Sequence, residues 1–141
     1  MSVPLVVLDT NVFVAALRSR RGASFQIVSR IGLGVFEFAL SVPLVLEYEH
    51  ALVQKRPRSV TAAAIGTLLD FVCAQGRHQD IFYLWRPLLR DPDDDMVLEL
   101  AVAAACERIV THNLRDVAGA EPFGVQVSSP AEFLDHIRGT P

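Results

Sequence analysis

The sequence predicts an α/β protein: a three-layer α/β/α sandwich around a mainly parallel central sheet of about five strands. Two observations predict it. Short apolar runs alternate along the chain with longer segments of helical spacing, which is the pattern of parallel βαβ units. The chain also has 141 residues, 51% of them hydrophobic and only 21% charged, enough for one well-filled core and a single domain over residues 1–141.

The elements follow in order. Val3 to Leu8 is Val-rich and apolar throughout, as a strand buried on both faces should be. Asn11 to Arg18 begins a helix, Ser19-Arg20-Arg21-Gly22 breaks it, and Ser24 to Arg30 resumes helical spacing. Phe36 to Leu40 is a second strand. Ser41 then serves as an N-cap, with Pro43 in the first turn of a helix that runs to about Val53. Lys55-Arg56-Pro57-Arg58 stops that helix. Ser59 to Gln75 is the longest helical pattern, with Val60, Ala64, Leu68, Phe71 and Val72 near one stripe. Ile81 to Leu84 is a third strand. Asp91-Pro92-Asp93-Asp94 has the form of a helix start, and this helix extends to about Cys106. Arg108 to Thr111 and Gly124 to Val127 are the fourth and fifth strands, and Pro130 to Arg138 closes the chain as a helix.

Bulk properties narrow the class. Cys73 and Cys106 form no C-x-x-C pair, which argues against zinc. The N-terminus lacks the form of a signal peptide, and no apolar run reaches 18 residues, so the expectation is a cytoplasmic protein with reduced thiols and no membrane association. The net charge of −3 argues mildly against holding nucleic acid by bulk charge. It does not exclude a nuclease, because bound cations offset a carboxylate site.

In an open parallel sheet, ligands bind beyond the carboxyl ends of the strands. Asp9-Thr10-Asn11 follows the first strand. Ser41 follows the second, with Glu47 six positions on; Asp91 through Asp95 follow the third; Thr111-His112-Asn113 and then Asp116 follow the fourth. Carboxylates gathered at one edge repel unless a cation neutralises them. Hard divalent ions such as Mg2+ and Mn2+ prefer such oxygen ligands. The reaction natural to that site is phosphodiester hydrolysis, in which a metal activates water and stabilises charge on the phosphate and the leaving oxygen.

Leu8-Asp9-Thr10-Asn11-Val12, Ser41 through Glu47-Tyr48, Asp91 through Asp95 with Leu98 and Ala101, and Ile109-Val110-Thr111-His112-Asn113 resemble, in order, four landmarks of the PIN domain. They cover roughly residues 3–130, and they are most similar to the VapC-like toxin branch of bacterial toxin–antitoxin systems. The resemblance implies a Mg2+- or Mn2+-dependent endoribonuclease acting on single-stranded or loop RNA, a homodimer, and a small cognate antitoxin.

Carried over residue by residue, Asp9, Glu47 and Asp94 match the family's first three acids, and Ala101 falls on the face of Asp94 two turns on. Asp9 could instead simply cap its helix. Glu49 rivals Glu47, but residues two apart on a helix face different ways. Asp93 and Asp95 compete with Asp94, and Asp91 is a supporting ligand. Asn11 touches the metal or its water, or caps the helix. The fourth landmark departs from the common Thr-x-Asp: here it is Thr111-His112-Asn113, with Asp116 three residues on, a form the resemblance associates with the toxin branch. Asn113 and Asp116 are thus both candidate ligands, with Thr111 and Ser41 supporting. His112 is not needed as a base where a metal activates water. His50, His78 and His136 lack metal-ligand spacing. The clusters Arg18, Arg20, Arg21 and Lys55, Arg56, Arg58 can meet RNA phosphates or simply face solvent. Tyr48, Tyr83 and Trp85 can stack on bases or pack in a core or interface.

Two other readings remain. One is a PIN-like RNA- or protein-binding module with weakened catalysis, for which Asn113 speaks. The other is a haloacid-dehalogenase-type phosphatase, disfavoured because position 11 is Asn rather than Asp and the only lysine is Lys55.

Overall fold

The run Val6-Val7-Leu8 is wholly buried, so the first strand, β1 (Leu5–Leu8), must be covered on both faces and flanked by other strands. A computed structural model, which describes residues 3–81 and 92–138 and only the backbone of 92–95 and 116–119, places β1 at the centre of a five-stranded sheet. Its neighbours are β2 (Glu37–Leu40) and β4 (Arg108–Val110), with β3 (Arg77–His78) beyond β2 and β5 (Gln126–Ser128) beyond β4. Every pairing is parallel. Leu8 stands opposite Val110, so the residues after them, Asp9 and Thr111, leave the sheet side by side.

The helices are α1 (Thr10–Arg18), α2 (Ala23–Ser29), α3 (Val42–Lys55), α4 (Ala62–Gln75), α5 (Pro92–Ala103) and α6 (Pro130–Arg138). They form the two outer layers of the α/β/α sandwich. α1 packs on α2 and α3, α2 also meets α6, α3 meets α4, and α5 lies on β1, β2 and β4. Ser41 caps α3 by accepting the Leu44 N–H at 3.3 Å, and Thr61 caps α4 by accepting that of Ala64 at 3.1 Å. The strand order matters for function. Connections run outward from β1 to β2 and β3, then cross back to β4, so the order reverses between β1 and β4. A reversal of this kind opens a crevice at the carboxyl ends of the two strands.

Several expectations are corrected. A strand the sequence does not mark forms at Arg77–His78, against Ala39 and Leu40; the strand expected over 81–84 lies, past Ile81, outside the described residues. Gly76 makes this edge strand possible. A Cβ there would stand 2.7 Å from Leu40 Cγ and 2.9 Å from Phe38 Cε2. The buried face of α4 is Ile65, Leu69 and Val72, whereas Ala64 and Phe71 are exposed. α5 ends at Ala103, short of Cys106. There the Ala105 N–H donates to Val102 O at 3.2 Å and the Cys106 N–H to Ala101 O at 2.8 Å, a Schellman ending. Ala105 takes the left-handed position, φ 56°, that glycine usually fills. An unanticipated 3-10 segment, Leu114–Phe123, joins β4 to β5 and is released by Gly124 at φ 78°.

Two stability outcomes follow from these turns. Ala105→Gly relieves a left-handed alanine and should raise stability by about 0.5–1 kcal/mol, the conformational gain being partly offset by glycine's larger unfolded-state entropy. Gly76→Ala should lower it by about 1–3 kcal/mol, because Leu40 and Phe38 must move. Urea denaturation of the two variants beside the parent chain checks both; a stable Gly76→Ala protein would contradict the close approach.

Candidate active site

Asp9 is the residue at which β1 hands over to α1. Its backbone N–H extends the sheet to Val110 O at 2.9 Å, and its carboxylate caps α1 through Oδ1, accepting the Thr10 N–H at 2.8 Å. Only 8% of the residue is exposed. A carboxylate so buried needs further donors, and they come from the neighbouring strand exit. Thr111, fully buried, donates its hydroxyl proton to Asp9 Oδ2 at 2.7 Å. Asn11 Nδ2 approaches the same oxygen at 3.4 Å and donates to Thr111 Oγ1 at 3.1 Å. The Asn113 N–H also donates to Thr111 Oγ1, at 3.0 Å. The threonine hydroxyl therefore gives its one proton and fills both acceptor positions. Asp9 therefore caps α1 with one oxygen and joins the β4 exit with the other.

The second carboxylate comes from α3. Tyr48 is fully buried; its hydroxyl donates to Leu8 O, the last carbonyl of β1, and its ring tilts against Phe13 of α1 with centroids 4.7 Å apart. This fixes the turn of α3 that carries Glu47, which is half-buried. Burial pushes the Tyr48 phenol well above its ordinary range, and the nearby charges of Asp9 and then Glu47 push it further. Asp9 and Glu47 thus act on one buried hydroxyl. Glu49, by contrast, is exposed and lines a groove between α3 and α4 with His50, Val53, Ile65 and Leu69.

The other candidates divide by position. Ser41, 2% exposed, is occupied as the cap of α3. Asn113 precedes the 3-10 segment and makes no side-chain capping bond. Asn11 does not cap α1; its amide oxygen, the atom a cation would bind, accepts the His112 N–H at 3.1 Å. Asp91 lies outside the described residues, as do the side chains of Asp94 and Asp116 and all of Tyr83 and Trp85. Among the described residues, no three His, Cys, Asp or Glu side chains gather closely enough to hold a metal ion. Asp9 and Glu47, whose charges both bear on the Tyr48 hydroxyl, offer hard carboxylate oxygens, a donor chemistry that fits Mg2+ or Mn2+. Arg18, Arg20, Arg21, Lys55, Arg56 and Arg58 are all exposed.

Sequence reading missed two polar residues. Ser24, 2% exposed in the first turn of α2, bonds through Oγ to His112 Nε2 at 2.8 Å, and nothing in the local sequence marks this. Glu99 is 3% exposed within α5. Its signal was present: it is the one charged residue in the apolar stretch Met96–Cys106.

A parallel sheet with buried carboxylate chemistry at its strand-order reversal defines the class, an α/β protein with an oxygen-rich site at the carboxyl edge. Residues 5–115 match the family model described as PIN domain, and the chain belongs to that family. Among solved structures, one similar fold is the crystal structure of VapBC2 from Rickettsia felis bound to a DNA fragment from their promoter. That match has a TM-score of 0.63 and 13% identity, and it covers 89% of this chain and 98% of the other. Comparison with the curated proteins gives no match. Among the described residues, no helix is long and apolar enough to cross a membrane.

Two measurements examine the site's construction. Because Tyr48 ionises later in the folded chain than in the unfolded one, its contribution to stability is complete below its ordinary value of 10.0 and is lost as pH rises above that towards the raised folded value. Ultraviolet titration should show one tyrosine ionising only as the chain unfolds, and Tyr48→Phe should remove that late phase. Thr111→Val should cost about 1.5–3 kcal/mol, the worth of a hydrogen bond to a charged group, read by chemical denaturation.

Proposed function

We propose that this chain is a metal-dependent endoribonuclease that cleaves single-stranded or loop RNA. We further propose that it is the toxin of a bacterial type II toxin–antitoxin pair, acting in the cytoplasm as a homodimer, with residues 1–141 forming a single nuclease domain. The observation that carries the reading is the buried Asp9, braced by Thr111 from the adjacent strand exit and sharing the Tyr48 hydroxyl's surroundings with Glu47. Membership of the PIN domain family supports nuclease chemistry. The likeness to VapBC2, a structure described as bound to a DNA fragment from their promoter, supports an antitoxin as the protein partner.

Asp9 and Glu47 would hold Mg2+ or Mn2+, together with Asp94 from α5 and Asp116 or Asn113 beyond β4; Asp91 would support them. When bound, the ion supplies Lewis-acid activation of water and neutralises charge at the phosphate. The chain's own residues do the rest. Thr10 N–H and the Thr111 hydroxyl hold Asp9 in one orientation, so its charge needs no rearrangement when substrate arrives. Tyr48 keeps α3 against β1 and so keeps Glu47 near Asp9. Ser41 fixes the start of that helix. Arg18, Arg20 and Arg21 offer phosphate contacts that set the register of the RNA without reading its sequence.

The test is cleavage of a mixed-sequence single-stranded RNA with Mn2+ present and after chelation. Wild type should cut only with the metal, while Asp9→Ala and Glu47→Gln should lose nearly all activity and keep their fold. Equal cleavage by wild type and Asp9→Ala refutes the proposal. Asn113, where an acid is common, favours a second reading as a binding module with weakened catalysis. Under that reading, calorimetry would find RNA bound and Mn2+ not.

A further inference from the structure

Ser24 and His112 lie 88 residues apart and meet at 2.8 Å, hydroxyl to Nε2. Ser24 is in the first turn of α2, yet it does not cap that helix; Gly22 occupies the cap and makes no side-chain bond. The hydroxyl is spent on the exit of β4 instead. A serine beside a histidine can also be a nucleophile with its base, but only 2% of Ser24 reaches solvent, so no RNA phosphate can approach it. The pair is better placed to hold something still.

What it holds can be traced bond by bond. The backbone N–H of His112 donates to Asn11 Oδ1 at 3.1 Å. A backbone N–H can only donate and a carboxylate can only accept, so these two neighbours fix which end of the Asn11 amide is oxygen. Its NH2 end then faces Asp9 Oδ2 and Thr111 Oγ1. The peptide between Thr111 and His112 has soft dihedrals on both sides. Anchoring the imidazole to Ser24 restrains them, and with them the N–H that orients Asn11.

We propose that Ser24 and His112 are positioning residues: α2 latches the β4 exit, and through Asn11 the latch aligns the Asp9 carboxylate. This rests on the reading of Asp9 as a cation ligand in the proposed nuclease. Ser24 is sealed from solvent, and the exposed His112 has its Nε2 engaged by Ser24, so both are read as acting on Asp9 through Asn11. Partners of this outer kind commonly change metal affinity by about 10–100-fold when removed.

The experiment uses the full chain with Ser24→Ala, His112→Ala and His112→Gln, whose amide nitrogen reaches about as far as Nε2. Mn2+ affinity is measured by calorimetry, kcat and KM on the single-stranded RNA, and exchange of the Asn11 side-chain NH2 protons by NMR without metal. Ser24→Ala and His112→Ala should each weaken Mn2+ about tenfold, lower kcat with KM unchanged, and speed Asn11 exchange. The double alanine variant should be no worse than either single, because both cut one chain of bonds. His112→Gln should recover most of the loss. Unaltered Asn11 exchange in Ser24→Ala overturns the latch, as does additivity of the two alanine changes. A wild type that binds no Mn2+ sinks the cation reading of Asp9 and this proposal's alignment role together. A wild type that binds Mn2+ as tightly as both alanine variants sinks the latch alone.

Discussion

A carboxylate taken out of water must be given donors, or the burial costs several kcal/mol. Asp9 meets this demand with one bond the rest of the site depends on, the proton donated by the Thr111 hydroxyl at 2.7 Å. That bond requires β1 and β4 to be adjacent and parallel, with Leu8 opposite Val110. A slip of one residue would turn the threonine to the other face of the sheet. The carboxylate thus reports on the register of the whole central ladder. Val6, Val7, Leu8, Ile109 and Val110 are all fully buried, so this ladder is sealed from water on both faces.

A second point of convergence lies just behind the first. The Tyr48 hydroxyl donates to Leu8 O while its ring lies on Phe13, so α3, β1 and α1 meet at one buried side chain. Glu47 precedes that tyrosine and inherits its placement. The strand order reverses between β1 and β4, where Asp9 and Thr111 meet, and the two tethers hold Asp9 and the Glu47 turn there. The surroundings of Asp9 are accordingly built from three chain segments brought together by packing.

Much of this was legible. Strands β1, β2, β4 and β5 announce themselves as apolar runs, and Ser41 and Pro92 mark helix starts by their capping chemistry. Asp9, Glu47 and Thr111 stand out because acids and hydroxyls immediately follow or soon succeed buried strands. Strand β3 was hidden. Arg77 and His78 are polar and exposed, and their pairing depends on Gly76 fitting against Leu40 and Phe38. Periodicity does not select the buried face of α4, because apolar residues recur on several of its stripes. Ala105 gave no sign of a left-handed turn, since alanine is a strong helix former whose position is decided by the Schellman bonds.

By itself, the sequence determined the α/β class, strands β1, β2, β4 and β5 with most of the helices, and the residue types at the exits of β1, β2 and β4. Those depend on local periodicity and on chemistry within a few residues. Only the tertiary structure decided which exits are neighbours, that Asp9 caps a helix with one oxygen and joins Thr111 with the other, that Glu47 rather than Glu49 shares Tyr48 with it, and that Ser24 reaches His112. The physical reason is the same in each case. A hydrogen bond between residues about a hundred positions apart leaves no mark on the sequence near either partner, and it exists only once the core has set the distance between them.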